Sequence, residues 1–481
     1  VKRASTAGIV AAALCAAAVA GCAAGPDYRK PDAPVTQRFG EKAPDQQAVS
    51  FTAETPDRAW WDMLGDPLLS ELVTKAAAGN QKIAAAKARI REARALYDVA
   101  DGKGGLSVDA GIAGRHAEAG RSVPSSSSIT RDKARGLIAA GFDAKWELDL
   151  FGANQRGVEA ASARYEASVD EARGVLLSVV AEVARNYVEL RGAQRRLALV
   201  EETMVLQQQA LERTKAKFRS GLALEYDVAT VESPLQRNRA AVPAIRAQIQ
   251  SAAHRISVLT GDNPTALLDR LLKAAPAPAA PDVVPVGLPA DLLARRPDLR
   301  RTEQELRAAT AEVGVATADL YPRVSLTGSL TSRAGRFTDL FLASSGVWGL
   351  GAALLVPLFE HGRLEAQVAA AGARADEALA NHRQAVLTAL EEVESSLVTY
   401  AQEQIRRREL ERAVEQSRKA FHMARDLHDR GVKDILHVVV AQRTYSENVE
   451  LLLASEVASM THLIALYKAL GGGWSALDVT G

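Results

Sequence analysis

The sequence predicts a mainly α fold with a small membrane-type β part, built from one unit used twice: two strands, then a long helical hairpin. Three observations carry this. Phrases recur at a fixed spacing. Gly221 opens GLALEYDV in a segment closing at Leu259-Thr260-Gly261, and Gly431 opens GVKDILHV in one closing at Ala469-Leu470-Gly471 (431 − 221 = 210; 471 − 261 = 210). Leu150-Phe151 is echoed by Leu358-Phe359 (358 − 150 = 208). Two stretches of period-two alternation precede each Leu-Phe, and a long proline-free helical run follows each. Duplication on this scale points to a large pseudo-symmetric assembly and not to a compact enzyme with one cleft.

The strands come first. Leu106, Val108, Ala110 and Ile112 alternate with Ser107, Asp109, Gly111 and Ala113, and Ile138, Ala140, Phe142, Ala144 and Trp146 with Leu137, Ala139, Gly141, Asp143 and Lys145. A Ser-rich loop, Ser125–Ser128, lies between and reads as an external loop. In the second half Val324, Leu326 and Leu330 alternate with Ser325, Thr327, Ser329 and Thr331. Trp348, Leu350, Ala352, Leu354 and Val356 then alternate with Val347, Gly349, Gly351, Ala353 and Leu355. Segments of about ten residues with one apolar face suit transmembrane β-strands. A surface hairpin would explain one such pair; two pairs at equivalent places favour the membrane. Four strands cannot close a barrel with a lumen, and unpaired edges in hydrocarbon are costly, so several copies must share one barrel. The spans expected are about 105–116, 135–149, 323–333 and 346–357.

The helical runs extend from Gly152 to about Arg219 and from Glu360 to about Arg430. At ~1.5 Å per residue each spans about 100 Å. Leu410, Val414, Ser417, Phe421, Ala424 and His428 step by four and three, a 3.5-residue period that favours supercoiling on neighbours. Gly221 and Gly431 stop the runs as C-caps, and helices near Tyr226–Thr260 and Ile435–Leu470 return. The domain plan is a first repeat at 60–273, a Pro-rich connector at 274–290 expected to be extended, a second repeat at 291–474 and a tail at 475–481.

Composition narrows the function. The 59 basic residues nearly cancel the 58 acidic ones, leaving no field to draw nucleic acid. The two cysteines, Cys15 and Cys22, lie near the N-terminus, so the body has no disulfide, zinc site or thiol nucleophile. No nucleophile elbow, phosphate loop, HExxH or CxxC is present, and the expectation is a non-enzyme without metal or cofactor.

Lys2, Arg3 and the Ala-rich run from Ala7 to Ala20 read as a signal peptide at 1–21. Ala18-Val19-Ala20 fits A-x-A cleavage, but Val19-Ala20-Gly21-Cys22 resembles a lipobox, which is preferred because the cysteine has no other evident use. On that reading Cys22 carries a covalent lipid, and 22–59 is an extended tether.

Several phrases together resemble the TolC-like outer-membrane channels of tripartite efflux systems, in the lipoprotein (NodT/OprM-like) branch. They are Gly25-Pro26-Asp27-Tyr28, Trp60-Trp61, Gly65-Asp66-Pro67-Leu68, Leu72-Val73, Asn80, Arg295-Arg296-Pro297-Asp298 and Tyr467-Lys468-Ala469-Leu470-Gly471-Gly472-Gly473-Trp474. Their order covers essentially the whole mature chain. The resemblance implies a homotrimer with a twelve-stranded barrel in the outer membrane of a Gram-negative bacterium, continuous with a helical barrel in the periplasm. It also implies a periplasmic adaptor and an inner-membrane pump of the RND type as partners, outer-membrane lipid around the barrel, and passive export of drugs or other toxic small molecules. Type I protein secretion and metal efflux use the same architecture. A coiled-coil adaptor lipoprotein is the rival of another class, disfavoured by two matched hairpins.

In that family carboxylates six and nine residues after the hairpin Gly often ring a periplasmic aperture. Here those positions hold Asp227 and Thr230, then His437 and Val440, so only Asp227 keeps a carboxylate. Glu225, Lys433, Asp434, Asp426 and Asp429 are charges near enough to substitute. Exposed turn residues are also commonly charged for solubility alone. Three copies of His437 near an axis would shed mutual repulsion when neutral, so mild acid is expected to alter the aperture. The other histidines, His428 among them, read as ordinary surface or packing residues. Trp146 and Trp348 suit an interfacial aromatic belt, with packing an equal alternative. Phe151 and Phe359 read as wedges where strand becomes helix.

Overall fold

The computed structural model describes residues 23–32, 39, 50–52, 54, 59–117, 135–278, 281 and 283–477. The signal peptide, Cys22 and the Ser125–Ser128 loop lie outside them. In chain order the elements are β1 (Ser50–Thr52), α1 (Pro67–Gly79), α2 (Gln81–Gly102), β2 (Ser107–Ala117), β3 (Arg135–Leu148), α3 (Ala153–Arg219) and α4 (Glu225–Leu259). There follow β4 (Val283–Pro285), α5 (Pro289–Arg295), α6 (Pro297–Ala318), β5 (Arg323–Ala334), β6 (Gly346–Leu355), α7 (Arg363–Asp429) and α8 (Ile435–Ala469). The duplication is exact in length: α3 and α7 have 67 residues each, α4 and α8 have 35 each.

Contacts divide the chain into two units. One comprises Val1–Pro31, Arg91–Glu166 and Glu303–Asn381, the other Asp32–Ile90, Ala167–Thr302 and His382–Gly481.

The first unit holds an antiparallel sheet in the order β2-β3-β5-β6. Alternation sets its faces. Val108, Ile112, Phe142, Trp146, Leu330, Trp348, Leu350 and Leu354 all lie on one face and all are exposed, Trp348 at 74% and Leu350 at 83%. Trp146, on the inner strand β3, donates from Nε1 to the Gly104 carbonyl at 3.1 Å, while Trp348 stands 74% exposed on the edge strand β6. Among the described residues the outer edges of β2 and β6 carry no strand. At Gly141 an added Cβ would stand 2.3 Å from the Leu330 carbonyl oxygen, so β5 can approach β3 only because that position is glycine.

The N-terminal segment of this unit is a docked strap. Ala24 donates its N–H to the Phe151 carbonyl at 2.9 Å, and Arg156 donates to the Ala24 carbonyl at 3.3 Å and to Asp27 at 2.6 Å. Tyr28 donates to Glu303 at 3.2 Å, and burial pushes its phenol pKa up. Gly25, at φ 84°, is forced: a Cβ there would lie 2.5 Å from Gly314 Cα. The tether is therefore not wholly extended and free, because Gly-Pro-Asp-Tyr has specific partners on α3 and α6. The Phe151 ring stacks on Tyr321 at 4.7 Å, whereas its counterpart Phe359 is 78% exposed.

The second unit builds its core around Trp60, fully buried, stacked on Tyr467 at 5.3 Å and edge-on to Trp61 at 5.8 Å. The glycines after Tyr467 make room: a Cβ on Gly473 would meet Trp60 Nε1 at 2.9 Å. Asp66 caps α1 by accepting from the Leu68 N–H at 2.9 Å, and its other oxygen accepts from the Tyr187 hydroxyl at 2.6 Å. Burial and that bond push the Tyr187 phenol up to about 12. Asn80 donates to the Leu259 carbonyl at 2.8 Å and accepts from the Lys82 N–H.

Arg296, nearly buried, donates to both oxygens of Asp298 (3.0 and 2.6 Å), to the Ala469 carbonyl at 3.0 Å and to Glu392 at 2.7 Å. It thus ties the start of α6 to α7 and to the C-terminus of α8. Burial alone would raise the Asp298 carboxyl, but the guanidinium outweighs it and holds Asp298 below its usual range.

The Pro-rich connector includes a short strand. It holds β4, which pairs in parallel with β1 (Phe51 opposite Val284), and Pro289 already starts α5. Pro289 at N1 suits a helix start because its missing N–H would have no partner there.

Candidate functional site: the tips of the helical hairpins

Both hairpins turn by the same device. Gly221 and Gly431 each sit at φ 73°, a conformation that glycine adopts without strain. Leu222 N–H bonds back to the Lys217 carbonyl at 2.8 Å and Val432 N–H to the Leu427 carbonyl at 2.9 Å, the six-to-one bond of a Schellman motif. The returning helices then start differently. In α4 the Asp227 carboxylate accepts from the Leu224 N–H at 2.8 Å, satisfying one orphan donor of the first turn. In α8 the equivalent residue is His437, which makes no such bond, and Asp434 stands at the N-cap without a side-chain bond.

A small apolar cluster holds the two hairpins side by side near these turns. Leu211, Val231 and Leu235 are buried together, with Met204, Val228, Ile435 and Val439 packed against them.

The candidate charges divide by what they touch. Asp227 serves the backbone cap. Asp426 pairs with Arg430 at 2.8 Å and Asp429 with Arg425 at 3.9 Å, so both are neutralised within α7 and its end. Glu225, Lys433, Asp434 and His437 are exposed, without a side-chain partner among the described residues. The structure brings all seven to the two turns, which sit next to each other; it gives them no common ligand.

One residue was missed. His428 lies between the hairpins: its Nε2 is 3.3 Å from Lys217 Nζ and its Nδ1 is 3.0 Å from the Lys433 carbonyl. A carbonyl only accepts, so Nδ1 carries the proton and Nε2 is left to accept from Lys217. The heptad spacing placed His428 on the packing stripe, but a partner 211 residues away leaves no local signal.

A second asymmetry was also missed. Pro234 and Pro243 lie inside α4, and α8 has no proline. Each removes a helix hydrogen bond. Beside Pro234 a cavity of about 290 Å³ is bordered by Thr203, Gln207, Asn238 and Ser446.

The chain matches the family model described as outer membrane efflux protein over residues 72–262 and 288–472. It is 29% identical to nodulation protein T of Rhizobium leguminosarum bv. trifolii over 465 residues, 96% of this chain and 97% of that one. It is 30% identical over 467 residues to the toluene efflux pump outer membrane protein TtgI of Pseudomonas putida, covering 95% of this chain and 96% of the relative. Among solved structures, the outer-membrane channel OprN superposes with a TM-score of 0.87 at 34% identity, covering 94% of this chain and all of that one. The location that follows is the outer membrane of a Gram-negative bacterium. Matched across both halves and over nearly its whole length, the chain belongs to the outer membrane efflux protein family and is the outer-membrane exit duct of a tripartite efflux system.

Proposed function

We propose that three copies of this chain pool their sheets into one twelve-stranded barrel and conduct small toxic organic molecules outward. The observation that carries this is the four-stranded sheet with an apolar outer face and two open edges. Such edges are tolerable in lipid only when neighbours close them. The duct is passive and non-catalytic. An inner-membrane pump of the RND type supplies the energy, and a periplasmic adaptor joins the two. The apolar cargo class is suggested by the relative named for toluene efflux.

Cys22 carries the lipid anchor in this reading. The strap supports it, since Ala24 is hydrogen-bonded at the strand-to-helix junction and residue 22 lies two positions earlier. Trp146 and Trp348 fit the membrane–water interface. The side chains of Glu225, Lys433, Asp434 and His437, exposed and without a side-chain partner among the described residues, line the periplasmic aperture with Asp227, and Asp426 and Asp429 act there only through their arginine partners.

The test is accumulation of a fluorescent efflux dye in cells lacking the gene, with and without its restoration. Raised accumulation that the restored gene reverses is expected. Accumulation unchanged by deletion, in cells stripped of other ducts, would overturn small-molecule efflux in favour of protein or metal-ion export.

A further inference from the structure

We propose that neighbouring copies join β6 of one to β2 of the next in the antiparallel register that sets Ala352 opposite Ala110. The proposal rests on the shared-barrel reading and specifies its seam. The chain carries the register within itself. Moving β2 by 218 residues and β3 by 208 converts the Ala110–Phe142 pair into Gly328–Leu350 (328 − 110 = 218; 350 − 142 = 208). Eight of the eleven β2–β3 pairs convert in this way, from Ser107–Lys145 into Ser325–Ala353 to Gly114–Ile138 into Ser332–Gly346. The two ladders fix only the sum of the shifts, 426 (678 − 252), and the Leu-Phe spacing of 208, found independently of the sheet, fixes how that sum divides.

The middle ladder, β3 with β5, links the two halves. The same shifts carry β3 forward onto β6 and β5 back onto β2, and so out of one chain to the junction between two. Ala144–Gly328 becomes Ala352–Ala110, Phe142–Leu330 becomes Leu350–Ile112, and Trp146–Leu326 becomes Leu354–Val108. The residues brought opposite belong to the exposed apolar face of both edge strands. A slip of one residue would set that face against the other on every pair.

Glycine placement agrees with that division. Gly141 is required because β5 comes so close, its Cβ falling 2.7 Å from Thr331 Cα. Its counterpart 208 residues on is Gly349, where an added Cβ would meet only Ser329 Oγ at 3.4 Å. The room that Gly349 provides has no occupant among the described residues of one chain. In the proposed register Ala113 of the next copy comes opposite it. Phe359 follows the same rule: Phe151 faces Tyr321, whereas Phe359 has only the tilted His361 ring beside it at 4.4 Å, and the shift of 218 sets Lys103 of the next copy before Phe359. An ammonium against an aromatic face is attractive.

Disulfide trapping in outer-membrane fractions tests the register. Ala144→Cys with Gly328→Cys is the internal control, because a Cβ on Gly328 lies 3.7 Å from Ala144 Cβ, within disulfide reach. It is expected to bridge within one chain. Ala110→Cys with Ala352→Cys is expected to shift the chain to covalent multimers that reductant returns to single chains. Gly114→Cys with Ala352→Cys, four residues out of register, is expected to give none. Multimers from the Gly114 pair and not the Ala110 pair would overturn the register while leaving a shared barrel. Single chains from every inter-copy pairing, with the control bridged, would overturn both. Gly349→Ala gives an independent readout that needs no cysteine: loss of detergent-stable multimers at unchanged helical content is expected, and unchanged multimers would count against the seam.

Discussion

Lys217 and His428, at the turns of different hairpins, meet at 3.3 Å between Nζ and Nε2, and the second imidazole nitrogen is committed to the Lys433 carbonyl. The contact is exposed, so its worth is under about 1 kcal/mol. Its position gives it leverage, since it joins the two hairpins where they end. Lys217→Ala and His428→Ala are each expected to raise the open probability of single channels in planar bilayers. The double variant should open no more than either single, because one contact is lost in all three. Additive effects would show that the two residues act apart.

Asp227 has two possible duties that substitution separates. Through its bond from the Leu224 N–H, Asp227 contributes about 1 kcal/mol, which Asp227→Ala should lose and Asp227→Asn should largely keep. As an aperture charge it should be lost equally in both. The expectation is that both variants change the cation preference of the channel in reversal-potential measurements, while only Asp227→Ala exposes the turn to protease.

Arg296 is expected to govern acid stability of the second unit. Asp298 has its carboxyl held low, so its stabilisation is present above the unfolded value and is lost as pH falls through the folded one. The melting temperature should therefore drop as pH falls below about 4, near the free carboxyl value of aspartate. Arg296→Gln should cost about 2 kcal/mol at neutral pH, less than for a wholly buried pair because the carboxylates are half exposed. It should also flatten the acid slope. An unchanged slope in denaturation curves would remove Arg296 from this role.

Gly25→Val should release the strap, because a Cβ there meets the α6 backbone at 2.5 Å. Arg156→Ala, which removes the bonds to Ala24 and Asp27, should do the same by another route. Both are expected to open the strap to limited proteolysis and to lower the share of protein reaching the outer membrane. Equal protease resistance in both variants would mean that the strap is held by something else.

The fold class was legible because duplication doubled every weak signal. A ten-residue alternation such as Leu106–Arg115 says little alone, but its echo at Val324–Thr331 made it a strand. The turns were legible because Gly221 and Gly431 do a job only glycine does easily. What escaped notice was non-local. The β1–β4 pair is three residues on each side, too short for a period to show. Asn80 bonds Leu259, Gly473 makes room for Trp60 and Arg296 reaches Ala469, all partners more than a hundred residues away that leave no local signal. His428 was hidden in the same way.

The matched helices, 67 and 67, then 35 and 35, restrict how such a chain can change in length. Adding one heptad to α3 alone would carry Lys217 beyond His428 and strand Asp227 on a turn with no neighbour. Growth or loss in one arm must be copied in the other, and in the returning helix of each. Gene variants should thus gain or lose hairpin segments in concert, four cuts at a time.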